Sequence, residues 1–280
     1  MSDLFRWLND PLNWTGTSFT PGIVDQIGTH LLYTVIAVVI AAAIGLPLGL
    51  LLGHSGRGSW LVSLANGLRA LPSFGLLVLL YVLISPLLAG TGEVARLLPT
   101  EIVLVLLAFP TVLANTYAGV RNVSAAARDA ARGMGMTGSQ VLLRVELPNA
   151  LPLIMSGIRS AALQVIATAT IAGFVGLEGL GRYVIDGISQ NDYGQATGGA
   201  VVVAVLAVLV DLVLALVQRL LVSPGVSGRV RGRSRVRRGT ADARTAVVTE
   251  VAGPDGADLP PGGDDAGAVE TAPPASAGTT

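Results

Sequence analysis

The sequence contains no cysteine and no lysine. Without cysteine it can form neither a disulfide nor a thiolate metal site. Without lysine it has no GxxxxGK[ST] phosphate loop, so the chain is not its own Walker-type ATPase. Charge is scarce: 13% of residues are charged, where soluble domains carry about a quarter. There are two histidines, His30 and His54, at opposite ends of one apolar stretch. They read as polar flanks of a membrane span, not as metal ligands. No apolar stretch holds a nucleophile–base pair, a metal cluster or paired carboxylates, so an enzyme is not expected. Nor is a nucleic-acid partner, or any cofactor bound by this chain.

Apolar length is what the chain does have. Hydrophobic residues make up 51% of it. They gather in stretches that meet the roughly 20 residues a bilayer crossing needs. Spans are expected at about 30–53, 60–88, 101–120, 151–175 and 200–222, the second opening with a short interfacial piece around Arg69 and Pro72. The fold class is therefore an all-α polytopic membrane protein with about five transmembrane helices. Three parts follow: an extracytoplasmic N-terminal segment over 1–29, a membrane domain over 30–222, and a tail over 223–280. Gly45, Gly49 and Gly53 recur every fourth residue, which puts small residues on one helix face and lets a second helix approach closely. No cleaved signal is evident at the start, and Trp7 and Trp14 suit the headgroup level.

Arginine placement gives the orientation. Arg121, Arg128, Arg132 and Arg144 fall between the third and fourth stretches, and six more arginines lie between 229 and 238. Short basic segments stay cytoplasmic, so the N-terminus is expected outside and the C-terminus inside. The tail is rich in Gly, Ala, Pro and Asp and too poor in large apolar residues to bury a core. Its arginines read first as a topology anchor and second as a contact for anionic lipid heads.

The segment 121–149 carries the most specific pattern. Asp129-Ala130-Ala131-Arg132-Gly133-Met134-Gly135 is followed, nine residues on, by Val145-Glu146-Leu147-Pro148. It reads as two short helices joined by a turn. Gly135 supplies the backbone freedom that ends the first helix. Val141, Leu142, Val145 and Leu147 form an apolar stripe on the second. Pro148 is expected to break that helix before the fourth span.

This pattern resembles the EAA loop of ABC importer permeases (EAA-x3-G-x9-I-x-LP), with Asp129 for Glu and Val145 for Ile. The stretches HLLYTVIAVVIAAAIGLPLGLLLG, LANGLRALPSFGLLVLL and PNALPLIMSGIRSAALQVIATATIAGFVGLEGLGRYVIDGI extend the likeness to permeases for osmoprotectants such as glycine betaine, choline, carnitine and proline betaine. The resemblance covers about 26–222. It implies a transport subunit in a bacterial plasma membrane, with ATP and Mg used by a partner ABC ATPase. It also implies a separate extracytoplasmic substrate-binding protein and a second permease subunit, identical or not. Asp129, Ala130, Ala131, Arg132, Gly135, Val145, Leu147 and Pro148 would form the ATPase-coupling loop, with Asp129 capping the helix start. A translocation path would draw on polar residues inside the spans: Gln164, Thr168, Thr170 and Asp211. Asp211 has a second reading, an ion pair with an arginine such as Arg159. The alternatives are an importer of another small solute such as methionine, or a non-ABC channel or scaffold.

Overall fold

The structure, a computed structural model, describes residues 2–17 and 20–222. The tail over 223–280 and its arginine cluster lie outside the described residues. Among the described residues every regular element is helical. Four helical stretches are long and apolar enough to cross a bilayer: Ile23–Ser55, Val94–Arg121, Gly138–Val175 and Tyr193–Leu221. A fifth is broken: Ser59–Ala70 and Ser73–Leu88 meet at 87°. Pro72 explains the break, because it lacks an N–H and pushes Leu71 into extended backbone (ψ 132°).

Two short helices precede the membrane region, α1 (Ser2–Asn9) and α2 (Pro11–Thr15). The first span, α3 (Ile23–Ser55), begins seven residues before the expected start, because Asp25 accepts the Gly22 N–H and the helix pattern is already set there. His30 and His54 thus lie inside the helix instead of flanking it. The broken span comprises α4 (Ser59–Gly67) and α5 (Ser73–Ile84). The third span is α6 (Val94–Arg121). The arginine-rich segment after α6 supplies α7 (Ala125–Gly133) and α8 (Gly138–Val141). The fourth span, α9 (Leu147–Ala169), ends in a 3₁₀ turn over Thr170–Val175. After α10 (Gly181–Ser189), the fifth span is α11 (Tyr193–Leu221).

The core lies where α3, α6 and α9 meet, around Tyr33, Ala37, Ala41, Leu104, Ala108, Ala161 and Val165. Small residues dominate the contact because lipid offers no hydrophobic drive between helices, so close backbone approach and dispersion must hold them. The glycine face of α3 performs as its spacing suggests. A Cβ on Gly49 would stand 2.6 Å from Thr116 Cβ and 3.1 Å from the Leu113 carbonyl oxygen. At Gly45 the nearest atom is the Val112 side chain at 3.1 Å. Gly49→Leu is therefore expected to lower stability by about 1–3 kcal/mol, the usual range for overpacking. Gly45→Ala should cost less, because only a side chain has to yield. Thermal unfolding of the purified variants in detergent checks the order.

By contrast, α11 leaves Val205, Val208, Leu209, Leu212, Val213 and Leu216 exposed. An apolar surface of this kind suits lipid or another membrane subunit.

Candidate functional site

The two ends of the bundle differ in chemistry. At one end, α6 passes into a compact helical element. Ser124 opens α7 by accepting the Ala127 N–H at 3.2 Å. Asp129 is not the cap. It sits mid-helix on the exposed face, 3.7 Å from Arg132, an i,i+3 pair in solvent worth at most about 1 kcal/mol. The cap falls five residues earlier because Val123 is buried and the chain turns there. Ala131 points inward and is 1% exposed, whereas Ala130, Arg132 and Gly135 face outward with Met134.

Gly135 adopts φ +83°, the left-handed conformation that L residues resist. The turn it makes satisfies the last carbonyls of α7: Met134 N–H donates to Ala130 O, Gly135 N–H to Arg132 O and Met136 N–H to Ala131 O. Gln140 then accepts the Thr137 N–H at 2.9 Å and starts α8.

Pro148 does not break the chain before the fourth span. Residues 142–146 form a π-helical turn, in which Leu147 N–H donates to Leu142 O, five residues back. The wider turn makes room for a residue without an N–H, and Asn149 Nδ2 donates to Val145 O at 2.6 Å. The helix therefore runs on from Gly138 to Val175. Val141 is fully buried, and Val145, Leu147 and Pro148 are half-buried along the same element.

The π turn also aims Glu146 inward, where it is completely buried. One oxygen meets His54 Nδ1 at 2.6 Å, and the other lies 2.9 Å from Arg128 Nε. That second contact is an ion pair, and Arg128 donates its hydrogen bond through Nη2 to the Val120 carbonyl. This triad joins the end of α3, the middle of α7 and the root of α9, so the short element is tied to three parts of the bundle. Sequence reasoning missed it. Glu146 occupies an unconstrained position of the motif, and no spacing rule links it to His54, whose contact is made 92 residues away.

At the other end of α3, about 40 Å away by helical rise, a second polar group forms. Gln26 donates to Glu178 and accepts the Gly179 N–H. His30 meets the Ile166 carbonyl at 3.0 Å, and Arg96 donates to the Gly176 carbonyl at 3.2 Å. Trp7 stands edge-on to Tyr183 at 5.2 Å, and a cavity of about 370 Å³ opens beside them, lined also by Glu178, Arg182 and Asp186. Burial, with help from Glu178 and Asp25, pushes the Tyr183 phenol up to about 12, so its hydroxyl stays a donor, here to the Pro21 carbonyl.

The polar residues inside the spans separate into two groups. Asp211 on α11 is held by Arg159 on α9 through two parallel contacts, the pairing its sequence position allowed. Gln164 accepts from Thr111 Oγ1 at 3.1 Å, and Thr111 in turn accepts from Arg69 Nη2 at 2.8 Å. Thr168 is half-buried one turn further along α9, and Thr170 Oγ1 donates to its own helix at Ala167 O. Thus Gln164 and Asp211 do not share one site. Asp211→Ala should leave Arg159 unpaired within the bundle and lower the melting temperature and the yield of folded protein. Adding Arg159→Ala should restore both, measured by thermal unfolding in detergent. A double variant no better than the single would contradict the pairing.

The described residues thus form an all-helical bundle of four to five candidate spans, with a compact two-helix element inserted between two of them at one end. The chain belongs to the family described as binding-protein-dependent transport system inner membrane component, which matches residues 45–224. It is 35% identical over 207 residues to the glycine betaine/carnitine/choline transport system permease protein OpuCB of Bacillus subtilis, covering 74% of this chain and 91% of that protein. It is 33% identical to OpuCD, a permease protein of the same description from the same organism, covering 71% of this chain and 84% of that protein. Among solved structures it resembles an inward-facing form of the MetNI methionine ABC transporter, with a TM-score of 0.61, 21% identity, and coverage of 77% of this chain and 100% of that one. That likeness concerns the fold. Family membership makes the chain a multi-pass transport subunit, not an enzyme, working with an ATPase and a binding protein.

Proposed function

We propose that the chain is the permease subunit of an ATP-driven importer for small quaternary ammonium osmoprotectants: glycine betaine, choline, carnitine or proline betaine. The observation that carries this reading is the 125–148 element, pinned through buried Glu146, in a chain a third identical to permeases described as carrying such solutes. Asp129, Ala130, Arg132, Met134 and Gly135 present an exposed face at the bundle end, and we assign that face to the ATPase. Ala131, Val145, Leu147 and Pro148 hold it against the spans. ATP and Mg act in the partner subunit. Its closure moves the element as a lever, and the permease passes between two states that both ATP and the loaded binding protein bias.

In this reading the arginine-rich end faces the cytoplasm, as basic short segments do, and the N-terminus lies outside. The polar mouth around Glu178 and Tyr183 then faces the binding protein. The two permeases named for one Bacillus subtilis system, OpuCB and OpuCD, support pairing of this chain with a second permease. The exposed apolar faces of α11 supply surface for lipid or for that partner.

Uptake of labelled betaine, choline and carnitine into a bacterial strain stripped of its own systems, complemented with this chain and its partner subunits, tests the proposal. Accumulation dependent on ATP is expected for at least one of them. Accumulation of methionine alone would overturn the solute class.

A further inference from the structure

Arg69 is a charged side chain within the apolar part of the chain, and among the described residues no carboxylate pairs with it. It stands on the 3₁₀ turn over Leu68–Ala70, immediately before the 87° break in the second span. Among the described residues its one hydrogen bond is to Thr111, on the third span. By helical rise, Thr111 lies about 15 Å from the Arg121 end of α6 and about 25 Å from the Val94 end, so the guanidinium is held deep between the two polar ends. Arg69 is nevertheless exposed in the single chain. An unpaired charge at that depth does not face lipid tails; it faces a water-filled or subunit-enclosed space.

The hydrogen bonds around it have a direction. Arg69 only donates, so Thr111 Oγ1 accepts from it and must send its own hydrogen elsewhere. It sends it to Gln164 Oε1. One lone pair of the Gln164 carbonyl is thereby used, and its NH₂ group, which has no hydrogen-bond partner among the described residues, is the donor end left to meet an anion. The rest of the guanidinium fork is likewise uncommitted. Arg69 and Gln164, from two spans, therefore present free donors side by side, and Thr111 on a third span, its own hydrogen spent, links them. Broken spans near the middle of a bilayer are the places where transporters build solute contacts, because irregular backbone there needs a polar cavity beside it.

We infer that Arg69, oriented through Thr111 and Gln164, forms a contact in the translocation path for the carboxylate of a zwitterionic solute. This deepens the functional proposal and rests on it: betaine and carnitine carry a carboxylate, and choline does not. The contact is a transit point. It offers a planar fork to a planar anion when the binding protein releases the solute, and it lacks the enclosure that would trap it.

The test uses the complete importer in proteoliposomes, with its ATPase and with saturating loaded binding protein, so that recognition by the binding protein does not limit the rate. Arg69→Gln should cut the maximal rate of glycine betaine uptake by about ten-fold or more, the effect of losing one charge-assisted contact. Choline uptake should keep its rate or rise. Arg69→Lys, which retains charge without the fork, should fall between wild type and Arg69→Gln for betaine. Equal loss of both solutes would show that Arg69 only pins the break, and unchanged betaine uptake would remove it from the path; either result overturns the inference. A wild-type importer that moves none of glycine betaine, choline, carnitine and proline betaine would overturn the functional proposal itself, and the inference with it.

Discussion

Replacing Glu146 by alanine is expected to abolish uptake and to destabilise the junction between the 125–148 element and the spans. The carboxylate is fully buried and serves two partners on separate elements, His54 at 2.6 Å and Arg128 at 2.9 Å. Removing it leaves Arg128, whose side chain is 15% exposed, as a buried cation with only a carbonyl for company. Breaking a buried pair from one side typically costs about 3–5 kcal/mol, because the remaining charge has lost both water and counter-ion. Glu146→Gln keeps the shape and one acceptor oxygen and should fall between alanine and wild type. His54→Ala should be milder still, since it removes a half-solvated partner and leaves the Arg128 contact intact. Thermal unfolding of the purified complex and solute uptake in vesicles together read the series. Wild-type behaviour of Glu146→Ala in both would show that the element is held by its apolar stripe alone.

The second large effect is expected at Gly135. Its φ of +83° costs a β-branched residue about 1–2 kcal/mol before any contact is considered. A Cβ there meets nothing within 4 Å, so the penalty is one of backbone conformation and not of crowding. Gly135→Val should straighten or shift the turn that hands α7 to α8, displacing Met134 and Ala130 from their outward positions. The variant should reach the membrane in normal amount, because the spans do not depend on this turn, yet transport little. Gly135→Asn should retain most of the activity, since asparagine tolerates the left-handed region. The contrast between valine and asparagine separates turn geometry from side-chain bulk. Equal activity in the two variants would count against the role given to the turn.

The legible part of the fold was the part governed by local rules. Apolar length exposed the four unbroken spans, and the glycine repeat of α3 announced its close face toward α6. Arg69 and Pro72 hinted at a divided second span, although not at an 87° bend. The helical element over 125–148 was readable because its pattern is dense and ordered, down to the left-handed Gly135.

What the sequence hid depends on contacts between distant residues or on competition between local preferences. Asp129 looked like a cap, but Ser124, nearer the turn after buried Val123, took that place. Pro148 looked like a helix breaker, but a π turn absorbed its missing N–H. Glu146 gained its meaning only when folding brought His54 alongside. The N-terminal helix α1 was not foreseen: Leu4, Trp7 and Leu8 do share a helix face, but eight residues are too short to form a helix on local preference alone. It is held by tertiary contact, with Trp7 against Tyr183 and against the backbone at Gly198.

The account rests on the 125–148 element meeting an ATPase at the inner membrane surface. The natural absence of cysteine makes a direct measurement available, because one introduced thiol is the only reactive one in the chain. Met134 is the position of choice, at 72% exposure on the proposed docking face. Met134→Cys should resist a membrane-impermeant maleimide in intact spheroplasts and react in inside-out vesicles stripped of the ATPase. Adding the ATPase back should protect it. Ready labelling of intact spheroplasts would place the element outside and contradict the account.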